Sequence, residues 1–201
     1  MILYYLRGTI IHGSQNGHKL GFPTANLDPI TCLALPWEGG WTPALWSHLT
    51  QTSTLDSIRK EPLPSAGALL DQLLPLAGVY ASAALIFPFS GSFVAAPITG
   101  DLSAAGSYYA DPHSSDPHAV GPLHPGMTNL GPRPSVDNSP AYSIETHLFD
   151  WSKNLYGAQL ELFLLDFIRP TQKFTSFAAL SAQLAQDQAR AMERLAVLQR
   201  N

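Results

Sequence analysis

Two short segments of this chain carry the residue types best suited to chemistry, and they lie far apart in the sequence. Residues 21–26 have the sequence GFPTAN, and residues 143–147 have the sequence SIETH. In the first segment, Pro23 fixes the backbone before Thr24 and so holds the Thr24 hydroxyl and the Asn26 amide at a set separation. A hydroxyl and a neutral amide can form part of a Mg²⁺ shell, with other oxygens supplied by water and a nucleotide. A capped turn also explains these residues, and residue types alone favour that turn.

The second segment places a carboxylate in an alternating pattern. Alternation from Tyr142 to Phe149 predicts a strand with Ile144 on one face and Glu145 and His147 on the other. A carboxylate within hydrogen-bond reach of an alcohol can act as a general base. The simpler alternative for Glu145 is an exposed strand residue. For His147, we expect a structural hydrogen bond rather than a part in catalysis.

Glycines precede the first segment, at Gly8, Gly13, Gly17 and Gly21. Without a Cβ atom, such positions let backbone N–H groups approach a polyphosphate closely. Their spacing is neither that of a P-loop nor that of a dinucleotide-binding fold. Tight hairpins explain the same glycines about as well, so the glycines alone do not decide the function.

The elements that must position these residues follow from periodicity. Four strands are predicted from apolar or alternating runs, at Ile2–Ile11, Gly78–Phe87, Tyr142–Phe149 and Gln159–Ile168. After Thr175 or Ser176, either of which can act as N-cap, apolar residues recur every three or four positions and predict a long helix. Strands followed by one helix predict an all-β core capped by a helix.

Length and composition predict one domain over residues 1–201. Residues 32–74 and 88–125 are rich in Pro, Gly, Ser and Thr and exceed ordinary loop lengths, so we expect two insertions over the core. The first insertion is expected to hold a short helix near residues 43–49. Three tryptophans in it, Trp37, Trp41 and Trp46, predict either a small satellite cluster or a partner surface.

Charge and cysteine usage narrow the class of protein. The formal net charge of −4 gives no basic footprint, so we expect no nucleic-acid partner. Residues 61–132 contain no Lys or Arg, which indicates an inserted or weakly charged middle rather than a binding face. The apolar run at residues 76–89 is interrupted by Pro88 and is too short to span a bilayer, so no membrane partner is expected. The single cysteine, Cys32, is expected to be a small buried residue rather than a nucleophile. Without a recognisable signal peptide, the expected location is the cytoplasm.

The two segments resemble the signature of riboflavin kinases, the enzymes that make FMN from riboflavin and ATP. Residues 8–27, GTIIHGSQNGHKLGFPTANL, are similar to the glycine loop and the nucleotide- and metal-binding motif of that family. Residues 127–170, which include SIETH, are similar to the rest of its catalytic core, and residues 78–80 match a short family strand. Two separated matches in the right order are much harder to obtain by chance than one.

The resemblance implies a six-stranded antiparallel Greek-key barrel with a C-terminal helix. It implies that Thr24 contacts Mg²⁺ and the ATP phosphates, with Asn26 beside it at the metal and the substrate. Glu145 would be the general base on the terminal ribityl hydroxyl of riboflavin, and Arg169 would help to form the flavin side. The nucleotide would be bound by the glycine loop and the motif after it: Gly8, Gly13, Gly17, Lys19, Gly21, Pro23 and Thr24.

The chain also departs from the family pattern. A basic residue, often arginine, commonly stands two places before the equivalent of Leu20, and here that residue is His18, although Lys19 can compensate. No adenylyltransferase domain precedes the kinase-like strand, so we expect a monofunctional kinase with FMN rather than FAD as its product. We expect a monomer that binds riboflavin, FMN, ATP and ADP, with Mg²⁺ as the metal and Mn²⁺ or Zn²⁺ as alternatives.

Other functions compete with a kinase. The first is a non-catalytic flavin- or nucleotide-binding module on the same barrel, which would not need Thr24, Asn26 and Glu145 together. The second is a structural or partner-binding protein built around the insertions. The residues His113, His118, His124, Asp111 and Asp116 suggest a metal site, but their spacing is not a recognised zinc pattern and a solvated loop is the favoured interpretation.

Overall fold

The computed structural model describes residues 1–13, 21–61, 66–87, 122–132, 142–152 and 154–199. Six strands form a closed barrel: β1 (Ile2–Ile11), β2 (Ala25–Pro36), β3 (Gly78–Phe87), β4 (His124–Pro132), β5 (Tyr142–Leu148) and β6 (Gln159–Arg169). Their order around the barrel is β1-β2-β5-β4-β3-β6, and every neighbouring pair is antiparallel. In this order β6 returns beside β3, which makes the connection a Greek key and confirms the expected architecture.

Alternation along the strands divides the apolar side chains between two clusters. The interior cluster takes residues from all six strands: Leu6, Ile10, Ala25, Leu27, Cys32, Tyr80, Ala84, Leu130, Ile144, Leu148, Leu160, Leu162 and Leu164. The outer cluster takes the alternate residues of several strands, including Leu3, Tyr5 and Phe163. Because Ile144 is interior and Phe149 belongs to the outer cluster, the faces predicted for β5 are confirmed.

Within the described ranges, four α-helices accompany the barrel: α1 (Pro43–Thr50), α2 (Thr52–Arg59), α3 (Ala66–Leu73) and α4 (Phe177–Gln199). Helix α4 contacts β3, β4 and β6 and buries Ala191, Leu195 and Leu198 in the outer cluster. The predicted N-cap is confirmed at Ser176, whose hydroxyl oxygen accepts a hydrogen bond of 3.1 Å from the Ala179 N–H. Among the residues that the structure describes, no helix combines the length and the apolar character needed to cross a membrane.

The predicted insertion at residues 32–74 requires a correction. Strand β2 continues through Cys32 to Pro36, and the short helix expected near residues 43–49 is α1. Leu45 and Leu49 of α1 are almost fully buried in the outer cluster, as are apolar residues of α2. This segment therefore supplies a strand end and helices to the core, because its leucines recur at helical spacing within an otherwise polar composition.

The predicted end of the second insertion, at residue 125, is also placed too far along the chain. Strand β4 begins at His124, and the Pro125 carbonyl oxygen accepts a hydrogen bond from the Phe149 N–H. Residues 88–121, with His113 and His118, lie outside the described residues. Whether either stretch is an insertion relative to other proteins stays a prediction. The three tryptophans of the first stretch are partly buried against the outer cluster, as expected for a satellite of the core.

A buried ion pair fastens α2 to the barrel. The guanidinium of Arg59 donates to both carboxylate oxygens of Glu161 in β6, at 2.7 and 2.8 Å. The Glu161 side chain is fully buried and that of Arg59 is 7% exposed. Glu161 therefore lies on the outer face opposite to the leucines of β6, as alternation requires, but a helix covers it.

Candidate active site

The pairing of β2 with β5 brings the two chemical segments together. Asn26 is the register partner of Glu145, and on the other side Glu145 is the register partner of Asn129 in β4. Directly opposed residues of antiparallel strands point to the same face, with Cβ atoms about 4.5–5.5 Å apart. Because the neighbours Ala25 and Ile144 are interior, these three side chains lie on the outer face of the barrel. We call Asn26, Glu145 and Asn129 the polar row.

Asn26 is a buried side chain with an unsatisfied acceptor. It is 4% exposed, and its Oδ1 atom has no hydrogen-bond partner among the described residues. A Cβ atom at Gly13 would lie only 2.0 Å from Asn26 Nδ2, so the backbone at Gly13 lies directly against this amide. A buried acceptor without a partner costs about 1–3 kcal/mol. The arrangement therefore fits a site in which a bound cation or polar ligand satisfies Oδ1.

The segment that carries Thr24 is held onto β5 by His147. The Pro23 carbonyl can only accept, so the His147 Nδ1–H donates to it, at 2.9 Å. The ring of Phe22 stands edge-on to His147, with centroids 5.4 Å apart. Gly21 has φ of +81°, a conformation that favours glycine and turns the chain into this segment. The expected structural hydrogen bond of His147 is thereby confirmed.

Glu145 itself is half-buried in the centre of the polar row. Within the described part of the chain, its carboxylate forms no hydrogen bond or ion pair. On the interior side of the same strands, Thr128 donates to Ser82 at 2.8 Å. Since that uses its only hydrogen, the 3.0 Å contact between Thr128 and Thr146 has Thr146 as the donor. A chain of buried hydroxyls thus links β3, β4 and β5 directly behind Glu145.

The described residues limit which metal this site can hold. No group of three or more His, Cys, Asp or Glu side chains suited to a metal occurs among them. Thr24 Oγ1 and Asn26 Oδ1 are neutral oxygens, which suit Mg²⁺ when nucleotide phosphates and water complete its shell. His124 instead stands edge-on to Trp151 at 4.7 Å, and burial lowers its pKa. The other members of that alternative metal site lie outside the described residues.

Comparison with known proteins identifies the family. The family described as "Flavokinase: Riboflavin kinase" matches residues 2–195. The chain belongs to the riboflavin kinase family. It is 25% identical over 185 residues to the bifunctional riboflavin kinase/FMN adenylyltransferase of Listeria monocytogenes, covering 92% of this chain and 36% of that protein. The protein of the same name from Escherichia coli K12 is 39% identical over 69 residues, or 34% of this chain and 22% of that protein.

The fold of the chain is similar to that of a solved riboflavin kinase. The crystal structure of riboflavin kinase from Trypanosoma brucei aligns with a TM-score of 0.50 at 17% identity, covering 98% of this chain and 82% of that one. That similarity shows a shared barrel fold, and the chemistry has to be argued from the residues of this chain. Because this chain spans only about a third (36%) of the Listeria relative, the activities of that whole protein do not transfer directly.

Within this riboflavin kinase fold, the predicted nucleotide-binding residue Gly8 belongs to the barrel itself. Gly8 is inside β1, at the point where the register between β1 and β2 shifts, and a Cβ atom there would lie 2.0 Å from the Asp28 carbonyl oxygen. Packing therefore accounts for Gly8, and its contact with nucleotide stays a prediction. Gly17 and Lys19 lie outside the described residues.

Arg169 is placed away from Glu145 and has a partner of its own. Along the barrel wall, the register partner of Glu145 is Asn129, that of Asn129 is Val79, and that of Val79 is Arg169. Arg169 is therefore separated from Glu145 by three strand spacings of about 4.8 Å each. The Arg169 guanidinium donates to both oxygens of Asp187 in α4, at 2.7–3.0 Å. The described structure thus joins Arg169 to the helix rather than to the polar row, and its role at the flavin stays a prediction.

Two polar residues that contact or neighbour predicted site residues were missed by sequence analysis. Asp187 is fully buried, and it occupies a position of the apolar stripe of α4, between Leu184 and Ala191. A charged residue on an apolar stripe was a signal that a buried partner exists. Asn129 gave a weaker signal: asparagine is depleted in strands, so an asparagine within a strand can indicate a functional position.

Proposed function

We propose that this protein is a riboflavin kinase in activity as well as in family. The proposed reaction transfers the γ-phosphoryl group of ATP to the ribityl 5′-hydroxyl of riboflavin, giving FMN and ADP. The observation that carries the proposal is the register of Asn26 opposite Glu145 on the outer face of the barrel. Among the described residues, it puts an unsatisfied buried amide oxygen beside an unpaired carboxylate. The amide oxygen can bind a divalent metal, and the carboxylate can accept the proton of an alcohol.

In the proposed mechanism, Glu145 takes the proton of the riboflavin 5′-hydroxyl as its oxygen attacks the γ-phosphorus. The bond from that phosphorus to the β–γ bridging oxygen breaks, and ADP leaves with the electron pair. Phosphoryl transfer depends chiefly on alignment and neutralisation of charge, and a positioned base adds about 10²–10⁴-fold. The carboxylate is suited to this role because no cation among the described residues competes for it.

Thr24 and Asn26 are proposed to hold the divalent metal. When bound, Mg²⁺ would neutralise charge on the phosphates of ATP. Asn26 Oδ1 fits this role because it is buried and lacks a hydrogen-bond partner within the described residues. Gly13 allows the loop backbone to lie against the Asn26 amide, and the hydrogen bond from His147 to the Pro23 carbonyl keeps Thr24 beside it. Gly17, Lys19 and Gly21 are proposed to act with this loop on the nucleotide.

The finer aspects of the proposal rest on composition and on the family. Mg²⁺ is the proposed metal because the available ligands are neutral oxygens, with Mn²⁺ or Zn²⁺ as alternatives. We propose a monomer. We also propose that it has no nucleic-acid partner, which the net charge of −4 supports. The use of ATP favours a cytoplasmic location.

The proposal is tested by incubating the protein with riboflavin, ATP and Mg²⁺ and separating FMN and ADP by chromatography. We expect FMN and ADP in equal amounts. The Glu145→Gln variant should lose about 10²–10⁴-fold in turnover while it still quenches riboflavin fluorescence. Ser143→Ala, on the same face of β5, serves as the matched control and should retain turnover. Repeating the assay with Mn²⁺ or Zn²⁺ identifies the preferred metal.

Two outcomes would contradict the proposal. Flavin quenching without any FMN under varied donors and metals would indicate a non-catalytic binding module. Neither product nor quenching would show that membership of the family does not carry the activity in this chain.

A further inference from the structure

A buried ion pair at the end of β6 takes no part in the proposed mechanism. The Arg169 guanidinium donates from Nε and Nη2 to the carboxylate of Asp187 in α4, at 2.7–3.0 Å. The Asp187 side chain is fully buried and that of Arg169 is 12% exposed. The Gln183 amide also donates to Asp187, at 2.9 Å, and accepts a hydrogen bond from Gln172. Because apolar residues can often replace a buried ion pair without loss of stability, stability alone does not explain this network.

The pair holds the segment that joins β6 to α4. Residues 170–176, which we call the connecting segment, belong to neither a helix nor a strand. Arg169 contacts this segment twice. Its Nη1 atom donates to the Pro170 carbonyl oxygen at 2.9 Å, and its guanidinium lies 5.7 Å from the centroid of the Phe174 ring. The conformation of the connecting segment therefore depends on where Asp187 holds Arg169.

The connecting segment lies against the face of the barrel that carries the polar row. A Cβ atom at Gly131 in β4 would lie 2.9 Å from Thr171 Cγ2, so Thr171 packs directly on Gly131. Gly131 is two residues beyond Asn129 on the same face of β4, and Asn129 is the register partner of Glu145. The segment therefore borders the polar row at its β4 end.

The β4 end of the polar row is the side expected for riboflavin. In the proposed reaction, Thr24 and Asn26 hold the metal and the phosphates at the opposite end, on the side of β2. The attacking and leaving oxygens of a phosphoryl transfer lie roughly in line, on opposite sides of the phosphorus. The alcohol therefore reaches Glu145 from the side away from ADP, where the connecting segment lies.

We propose that Arg169 and Asp187 are positioning residues for riboflavin. Together they hold the connecting segment at the edge of the riboflavin site, and Arg169 does not itself bind the flavin. The inference rests on the proposed function, from which it takes the position of riboflavin. Arg169 is poorly suited to direct contact because its charge is paired with a buried carboxylate. Three of its five N–H groups already donate within the protein.

Loss of the pair should weaken the binding of riboflavin more than that of ATP. A segment that is not held in the free protein must be ordered when riboflavin binds. Fixing the backbone of a single residue corresponds to a loss of affinity of about 5–30-fold. The nucleotide end of the polar row should change little, because the hydrogen bond from His147 to the Pro23 carbonyl holds it independently.

The test compares two fully buried carboxylates that each pair with an arginine. Asp187→Asn weakens one pair and keeps the Arg169 side chain, and Glu161→Gln makes the same change at the pair with Arg59. Both variants should have a lower melting temperature. Only Asp187→Asn should raise the riboflavin Kd, by at least about fivefold in fluorescence quenching below the melting temperature of every variant. In Glu161→Gln the riboflavin Kd, and in both variants the KM for ATP, should stay within about twofold of the wild type.

Three results would overturn the inference. An unchanged riboflavin Kd in folded Asp187→Asn would leave the pair with a structural role alone. An equal rise in Glu161→Gln would trace the effect to lost stability. A rise in Arg169→Lys without one in Asp187→Asn would make Arg169 a direct ligand of the flavin.

A second variant covers the case in which Asp187→Asn does not fold. Gln183→Leu removes one donor to Asp187 and the contact with Gln172, but it keeps the ion pair. It should raise the riboflavin Kd by about 2–10-fold, as loss of a single hydrogen bond predicts. An unchanged Kd in this variant would overturn the inference.

The same series separates failure of the inference from failure of the proposed function. If the wild type neither makes FMN nor binds riboflavin, the proposed function fails and the inference fails with it. If the wild type binds riboflavin but makes no FMN, only the proposed function fails, and the Kd of Asp187→Asn still decides the inference. If the wild type makes FMN and Asp187→Asn binds riboflavin equally well, the kinase remains and only the positioning role is lost.

Discussion

Removing the guanidinium of Arg59 should destabilise the whole protein, although Arg59 lies in a segment that composition alone marks as a loop. Arg59→Met keeps much of the aliphatic stem and leaves Glu161 with its carboxylate at 0% exposure and two hydrogen bonds fewer. The guanidinium also lies 5.8 Å from the ring of Phe87, so its loss weakens packing on β3 too. Burial raises the pKa of the neighbouring Tyr5 hydroxyl, and the negative charge of Glu161 raises it further, so Tyr5 stays neutral.

The magnitude follows from the burial of the pair. Breaking a buried ion pair by removing one partner costs about 3–5 kcal/mol, against about 5–15 kcal/mol for the stability of a whole domain. For a chain of this length each kcal/mol lowers the melting temperature by about 2–4 °C, so the expected fall is about 6–20 °C. Urea unfolding followed by tryptophan fluorescence gives the free energy, and calorimetry gives the melting temperature.

Two variants control this experiment. Asp56→Asn removes the other carboxylate near Arg59, at 3.5 Å, but the Asp56 side chain is 46% exposed, so its loss should cost under about 1 kcal/mol. Replacing both members, as Arg59→Met with Glu161→Leu, should restore much of the stability because no buried charge remains unpaired. A cost below about 1 kcal/mol for Arg59→Met alone would refute the argument and would mean that α2 is not fastened to the barrel by this pair.

Two further perturbations address the site and the interior. Gly13→Ala would place a Cβ atom 2.0 Å from Asn26 Nδ2 and so displace that amide. We expect at least a tenfold lower kcat in the FMN assay, with little change in melting temperature. An unchanged kcat would show that the position of Asn26 is not critical. Burial raises the pKa of Cys32 from 9.0 to about 11, so with rising pH the unfolded chain loses this proton first and stability falls above pH 9. That fall, up to about 1.4 kcal/mol per pH unit, should be shallower in Cys32→Ala between pH 9 and pH 11 in urea titrations, and equal slopes would contradict it.

Periodicity predicted the strands that keep a regular pattern and missed those that do not. β2 contains Pro29, which lacks a backbone N–H, and β4 contains two prolines and two glycines in nine residues. In β2 the irregularity is absorbed by a bulge, because Arg7 pairs with Thr31 and Gly8 with Pro29, which leaves Ile30 without a partner in the ladder. Such strands are stabilised by closure of the barrel, which local sequence does not report.

The candidate site was predictable as residues but not as an arrangement. Thr24, Asn26 and Glu145 could be selected from their motifs, whereas the register that sets Asn26 opposite Glu145 joins strands distant in sequence. The contact of Gly13 with Asn26 depends on the same long-range pairing. Motifs identify which residues have suitable chemistry, and pairing determines which of them meet.

The site therefore depends on the register of β5 within the barrel, and the interior hydroxyls of β3, β4 and β5 explain how that register is maintained. A slip by one residue would turn Glu145 into the barrel and bring Thr146 to the outer face. It would also bury a carboxylate without a partner and break the hydrogen bonds that join Thr146 and Thr128 to Ser82, all of which are fully buried. The polar chain inside the barrel and the polar row outside it thus favour the same register. The hydrogen bonds among the interior hydroxyls take no part in the reaction, but they favour the register that sets Glu145 between Asn26 and Asn129 on the outer face.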